Sequence, residues 1–432
     1  MRIIKIGRWV NYNSNSIHPR TIPYFCGLYT MKQFTIPNIY RSNLISQIKE
    51  NRKAADKLKK DFTPTLLNLG PVHIYLARHF GFCYGVENAI EIAFNTIDQN
   101  QGKNIYLLSE MIHNPQVNAD LVSRGVQFLQ DTYGKQLIPF ESLNADDVVI
   151  IPAFGTTLEI ESMLKAKGIA VEKYNTTCPF VEKVWNRSEQ IASKGYSIVV
   201  HGKPKHEETR ATFSHASANT PTVIVNDMKE TIELAKYITG EKETDSFYIE
   251  FKGRYSEGFD ITKDLQKIGV VNQTTQLATD TQAISDYLKE VILNHFQLDN
   301  SNIATRFADT RDTLCYATND NQSAVKGMLD TAADIAMVIG GHNSSNSSHL
   351  VELCEAKYPT FFIDGPDKLI SKDEIIHCNW QTKEMSTVAG YLPKTEPLRI
   401  VMTSGASCPD AVVEKVIRKI ASFYGVENQL AN

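Results

Sequence analysis

One local pattern, repeated along this chain, limits its fold more than any other feature. A short apolar segment ends in a loop of small and polar residues, and the loop opens directly into helical periodicity. Asn104–Leu108 runs into Ile112-His113-Asn114-Pro115, and Val148–Pro152 into Ala153-Phe154-Gly155-Thr156-Thr157. Ser197–Val200 runs into His201–Glu208, Ile335–Ile339 into Gly340–Asn346, and Ile400–Thr403 into Ser404-Gly405-Ala406-Ser407. Buried strands alternating with helices specify parallel α/β sheets. Such sheets bind ligands beyond the carboxyl ends of their strands, where helix N-termini offer free amides. Here those loops carry His, Ser, Thr and Asn, which are donors suited to phosphate oxygens. Helix capping accounts for any one loop taken alone, but their recurrence points to a shared anionic ligand. Neither GxxxxGK[ST] nor GxGxxG occurs, so side chains and helix ends, not a glycine-rich cradle, would hold a phosphate.

At 432 residues the chain exceeds one compact core, and two or three domains are expected. With 42% apolar and 22% charged residues the composition is that of an ordinary globular protein. A net charge of −4 gives no basic excess for nucleic acid or an anionic membrane. No apolar run approaches the roughly 18–20 residues that span a bilayer. Seven cysteines, at 26, 83, 178, 315, 354, 378 and 408, are dispersed and odd in number. That argues for a reducing compartment and against a disulfide framework.

Residues 1–49 contain no Asp or Glu, while Arg2, Lys5, Arg8, Arg20, Lys32, Arg41 and Lys49 are basic. An organelle transit peptide over residues 1–30 would make the protein plastid-resident. A start placed too early, with Met31 as the true first residue, fits better, because the segment is poor in Ser and has no amphipathic repeat; it implies a bacterial cytoplasmic protein. Residues 42–62 read as a basic helix with a solvated face.

Three cysteines open helices. Cys83 lies in Gly81-Phe82-Cys83-Tyr84-Gly85-Val86, Cys178 in Thr176-Thr177-Cys178-Pro179-Phe180-Val181, and Cys315 in Asp312-Thr313-Leu314-Cys315-Tyr316-Ala317. Each follows a turn-like or polar stretch and precedes an apolar helical pattern, and Pro179 suits a first helical position. At a helix N-terminus the dipole and free amides are expected to lower a thiol's pKa toward thiolate, the form that binds iron. One cysteine falls in each of three successive α/β segments. Cys354, in a helix, and Cys378, in a strand-like run, read as small buried hydrophobes; Cys408 is open, and Cys26 belongs to the basic N-terminus.

At these residues the sequence resembles the 4-hydroxy-3-methylbut-2-enyl diphosphate reductase (LytB) family, over roughly Ile74 to Ile420. The resemblance rests on GFCYGVENAI, EMIHNPQV, TTCPFVEKV, HGKPKHEET, NQTT, LCYATNDNQ, GHNSSNS and SGASCPD, in family order. It implies an α/β protein whose three domains form a trefoil around a central [4Fe–4S] cluster. The expected division is an N-terminal extension over 1–70, partly helical or flexible, then domains over 71–177, 178–312 (with an insertion) and 313–432. By motif, Cys83, Cys178 and Cys315 would hold the cluster. His113, His206, Thr274, Ser344, Ser345, Asn346 and Ser407 would line the substrate pocket, and Glu208 would be the catalytic acid. Glu207 fills a slot that is Pro in many members. Phe154 stands where many have His, a loss of a phosphate donor; Lys203 and Lys205, which could restore that charge, read as exposed loop lysines. The loop around Phe154 and the long stretch from Glu208 to Thr274 are similar to the plant and cyanobacterial branch.

The implied reaction is reductive removal of an allylic hydroxyl from a five-carbon diphosphate, giving isopentenyl and dimethylallyl diphosphate as the last step of the methylerythritol phosphate route to isoprenoids. Its electron donor would be a ferredoxin or flavodoxin. Three other readings of the same residues stay open: a cluster-dependent dehydratase needing no electron donor, a sensor that keeps the cluster without the chemistry, and a structural zinc protein, which lacks a fourth ligand. A zinc-protease HExxH is absent, because Arg210 stands where the second His would fall.

Overall fold

In the computed structural model residues 34–308 and 313–430 are described. The transit-peptide and Met31 readings, with Cys26, fall outside them. Among the described residues three mostly parallel sheets carry the fold. The first has the order β1 (Thr65–Asn68), β2 (Val72–Leu76), β14 (Leu398–Ser404), β10 (Ile335–Ile339), β11 (Thr360–Ile363), parallel except for the β1–β2 hairpin. The second is β4 (Gln127–Phe128), β3 (Ile105–Leu107), β5 (Val148–Ile150). The third is β7 (Thr222–Val225), β6 (Ser197–His201), β8 (Ile268–Asn272), β9 (Phe307–Ala308). A separate hairpin pairs β12 (Glu374–Cys378) with β13 (Met385–Ala389). From Thr35 onward the chain forms one compact unit.

Strands β6, β8 and β10 are buried along their whole length, as continuous Val/Ile segments covered on both faces must be. Val72–Leu76 lies in the segment expected to be the first domain, yet its partner is β14, in register Ile74 to Ile400. Its core is correspondingly shared: Ile74 and Leu76 pack with Met337, Val401 and Ile417. The turn into β2 needs Gly70, at φ +74°, whose amide donates to Asn68 Oδ1.

The helix expected over 42–62 runs only from Asn43 to Ala55. It is not solvated all round. Ile45 is fully buried, Lys49 pairs with Asp410 at 2.7 Å, and Ser42 donates to Glu414, which fixes it on the helix Asp410–Phe423. The stretch between Glu208 and Thr274 adds short helices packed around Phe247, Phe251 and Phe259 beside the third sheet. No helix among the described residues is long and apolar enough to cross a membrane.

Candidate active site

The carboxyl-end loops of all three sheets converge on one pocket. Cys83 follows β2, His113 follows β3, and Ala153, Phe154 and Cys178 follow β5. His206 and Glu208 follow β6, Thr274 follows β8, Ser344–Asn346 follow β10 and Ser407 follows β14. Every site residue named from the sequence therefore borders the same space.

The three cysteines each cap a helix in extended conformation: Tyr84–Gln99, Pro179–Ala192 and Tyr316–Met328. Each backbone is pinned to a neighbouring pocket loop. The Cys83 amide donates to Ala406 (3.2 Å), the Cys178 amide to Ala153 (2.9 Å) and the Cys315 amide to Thr274 (3.3 Å). Gly85 allows the closest approach, since a Cβ there would lie 2.4 Å from Cys178 Sγ. The expectation of lowered thiol pKa values is overturned. Burial pushes all three up, Cys315 to about 12, and a Cys83 thiolate would add repulsion at Cys178 and Cys315. Amides of Gly85 and Val86, of Phe180 and Val181, and of Ala317 and Thr318 pull the other way, and desolvation exceeds them. Three largely desolvated thiols lining one pocket, Cys315 buried and Cys83 and Cys178 partly so, thus need a cationic centre to become thiolates. Among the described residues no three His, Cys, Asp or Glu side chains close around a single ion. An all-sulfur set spread around a shared pocket fits a multi-iron cluster, whose sulfur ligands stand further apart than those of one metal.

Other residues lining the pocket are polar. His206 caps the helix Glu207–Ser217, and its Nδ1 accepts from the Glu208 amide at 3.2 Å. That places the proton of neutral His206 on Nε2, 3.3 Å from Nε2 of His113. Burial, with His113, Lys203 and Arg210 nearby, holds the His206 pKa well below its ordinary value. His113 turns Nδ1 to Glu110 at 3.3 Å and stacks on Phe154 at 4.3 Å. Glu208 is 2% exposed, and its Oε1 accepts from the Thr274 amide at 2.5 Å. Burial raises this carboxyl to about 7, against the pull of Thr274 and His113.

Further polar groups come from the loops after β10 and β14. Ser344 caps the helix Ser345–Glu355, accepting from the Ser347 amide. Asn346 Oδ1 accepts from the Ala406 amide at 3.0 Å, and its buried Nδ2 has no partner, so a donor is left for a ligand oxygen. Gln273 donates to Ser345 at 3.2 Å, and Ser407 donates to the His113 carbonyl at 3.2 Å.

Neither Lys203 nor Lys205 borders the pocket; Lys205 is exposed and Lys203 half-buried. Phe154 walls it. Cys354, Cys378 and Cys408 are buried and stand away from it. Sequence reasoning passed over Thr275, Thr318 and Ala406 as lining residues and Gln273 as the brace on Ser345. Gln273 and Thr275 flank Thr274 in the same motif, which was the available signal.

The sequence model of the family described as LytB protein matches residues 74–421. The chain belongs to the LytB family. A 4-hydroxy-3-methylbut-2-enyl diphosphate reductase of Trichodesmium erythraeum (strain IMS101) is 37% identical over 385 residues, covering 89% of this chain and 90% of the relative. The reductase of the same name from Picosynechococcus sp. (strain ATCC 27264 / PCC 7002 / PR-6) is 38% identical over 382 residues, covering 88% and 89%. The structure of the E-1-hydroxy-2-methyl-but-2-enyl-4-diphosphate reductase from Plasmodium falciparum aligns with a TM-score of 0.58 over 81% of this chain and 87% of that one, at 22% identity, a likeness of fold. In this LytB-family chain one pocket is thus lined by three thiols, hydrogen-bonding side chains and a buried carboxyl.

Proposed function

We propose that this chain reduces 4-hydroxy-3-methylbut-2-enyl diphosphate to isopentenyl and dimethylallyl diphosphate. One observation carries the reading: Thr274 links the acid to the thiols, its amide donating to Glu208 and its carbonyl accepting from the Cys315 amide. Replacing an allylic hydroxyl by hydrogen consumes two electrons and two protons and releases water, so an electron site and a proton donor must face one substrate. A [4Fe–4S] cluster held by Cys83, Cys178 and Cys315 would supply the electrons and an open iron acting as a Lewis acid. Glu208 holds a proton near neutral pH and gives it to the departing oxygen. His113, His206, Thr274, Ser344, Ser345, Asn346 and Ser407 bind and orient the diphosphate, whose burial without donors would cost several kcal/mol. Phe154 excludes water beside the histidines. A one-electron carrier such as a ferredoxin or flavodoxin supplies the reducing equivalents. The described cysteines are all free, which fits a reducing compartment such as the cytoplasm.

The test is anaerobic purification, measurement of iron and visible absorption, and addition of the allylic diphosphate with a reduced one-electron donor. About four irons per chain and two isomeric five-carbon diphosphates are expected. A colourless protein, or a cluster that never reduces this substrate, overturns the reading.

A further inference from the structure

Glu207, next to the acid, is also buried, at 6% exposure, but lines a different cavity from Glu208. Its Oε1 accepts from Ser109 at 2.5 Å. Its Oε2 is buried without a hydrogen-bond partner and lies 3.5 Å from Nε2 of His113. On its other side Glu207 borders a second, polar cavity of about 310 Å³, shared with Ser109, Gln130, Tyr133 and Arg210. Tyr133, at 67% exposure, marks the solvent end of that cavity. Glu207 therefore stands between a water-accessible space and a histidine of the active pocket. The groups around it are His113 and Glu110 from the loop after β3, His206, Glu208 and Arg210 from its own helix and cap, and Asp131 beyond Arg210.

Resting on the reductase reading, we propose that Glu207 is the relay through which protons reach the active pocket from the side cavity. Each turnover draws two protons into the pocket, and its acid Glu208 is only 2% exposed, so a path through buried groups can resupply them. In the relay the O–H bond at Oε2 of Glu207 breaks as an N–H bond forms at Nε2 of His113. The resulting imidazolium lies between the carboxylates of Glu110 and Glu207; it gives the proton on into the pocket and returns to neutral imidazole, and no electron moves. Water in the side cavity then returns a proton to Glu207. Burial raises the Glu207 carboxyl to about 7, so both its forms are populated near neutrality. The backbone at this point does not depend on a glutamate. His206 is extended, at φ −71° and ψ 139°, and residue 207 opens the helix, a position that accepts Pro.

Two variants, Glu207→Gln and Glu207→Pro, test the relay in the holoenzyme. Both are expected to lose about tenfold in kcat, less than the 10²–10⁴ of a direct acid because water can partly substitute, with KM within about twofold. A solvent deuterium effect on kcat should grow, and imidazole buffer should restore the rate in Glu207→Gln but leave wild type unchanged. Wild-type kcat in both variants, or a loss that imidazole does not relieve, overturns the relay. A second readout is independent of turnover. In Glu208→Gln protein, difference infrared spectroscopy should show a protonated-carboxyl band that shifts rapidly in D2O and disappears when Glu207→Gln is added. No such band, or one that does not exchange, sinks the relay even where the reductase assay succeeds. A wild-type enzyme that fails that assay while the band behaves as expected sinks the reductase reading alone.

Discussion

At the residue scale the proposed acid Glu208 is set by its environment, and the same environment fixes two measurable properties. Burial lifts its carboxyl to about 7 from an ordinary value of 4.5. In the proposed reaction the protonated form delivers the proton; it is lost as pH rises through about 7, so kcat should decline over that range. Glu208→Gln keeps the acceptor for the Thr274 amide but carries no acidic proton. Turnover should fall by about 10²–10⁴ with substrate affinity and iron content retained; steady-state kinetics with iron analysis decides it. The stability consequence has a definite sign. A carboxyl whose folded pKa lies above its unfolded one binds a proton more tightly when folded, so stability is greatest below about 4.5 and is lost as pH rises through 7. Glu208→Gln should therefore unfold at higher denaturant than wild type at pH 8, by an amount on the order of 3 kcal/mol, and the two should converge at pH 4.5. Equal stability at both pH values would show that the carboxyl is not desolvated.

At the element scale the site is a set of strand-to-helix transitions, which is why much of it was legible. The recurrence of apolar strand, polar loop and helix located β3, β5, β6, β10 and β14 to within a few residues, because buried parallel strands are continuous apolar runs. Helix caps were legible for the same local reason, as at Cys178 followed by Pro179. The thiol electrostatics were not, because the lowering by a helix terminus is local, whereas the burial that outweighs it comes from distant segments. Gly85 shows how tight that assembly is. Its Cβ-free position, the second residue of the helix that Cys83 caps, receives the Cys178 sulfur. Gly85→Ala should leave the helix intact, since Ala has the better propensity, yet displace that sulfur. Circular dichroism unchanged with iron per chain sharply reduced is the expected result; full iron content would mean that the sulfur has room to move.

At the scale of the whole molecule the unpredicted feature is connectivity. Sequence order puts Val72–Leu76 beside residues 105–150, but it pairs with Leu398–Met402 from the other end of the chain. No local signal encodes this, because two apolar strands of similar composition are equally good partners until the sheet is assembled. The consequence is a pocket walled by loops of three sheets, so a ligand there touches segments remote in sequence at once. Asn346 is the sharpest case: its Oδ1 ties the β10 loop to Ala406 of the β14 loop while its Nδ2 waits for an acceptor. A bound diphosphate should therefore stabilise the entire fold. By mass action, ligand at 100 times its Kd adds about 2.7 kcal/mol, which for a chain of this size raises Tm by roughly 2–4 °C or somewhat less. Inorganic diphosphate, added in a thermal scan of the holoenzyme, should give one cooperative transition at the higher temperature. Asn346→Ala should lose most of that shift, because the donor is gone and the link to Ala406 with it, whereas Lys205→Ala, on an exposed loop away from the pocket, should keep it. A shift that survives in Asn346→Ala and fails in Lys205→Ala would place the anion outside the pocket.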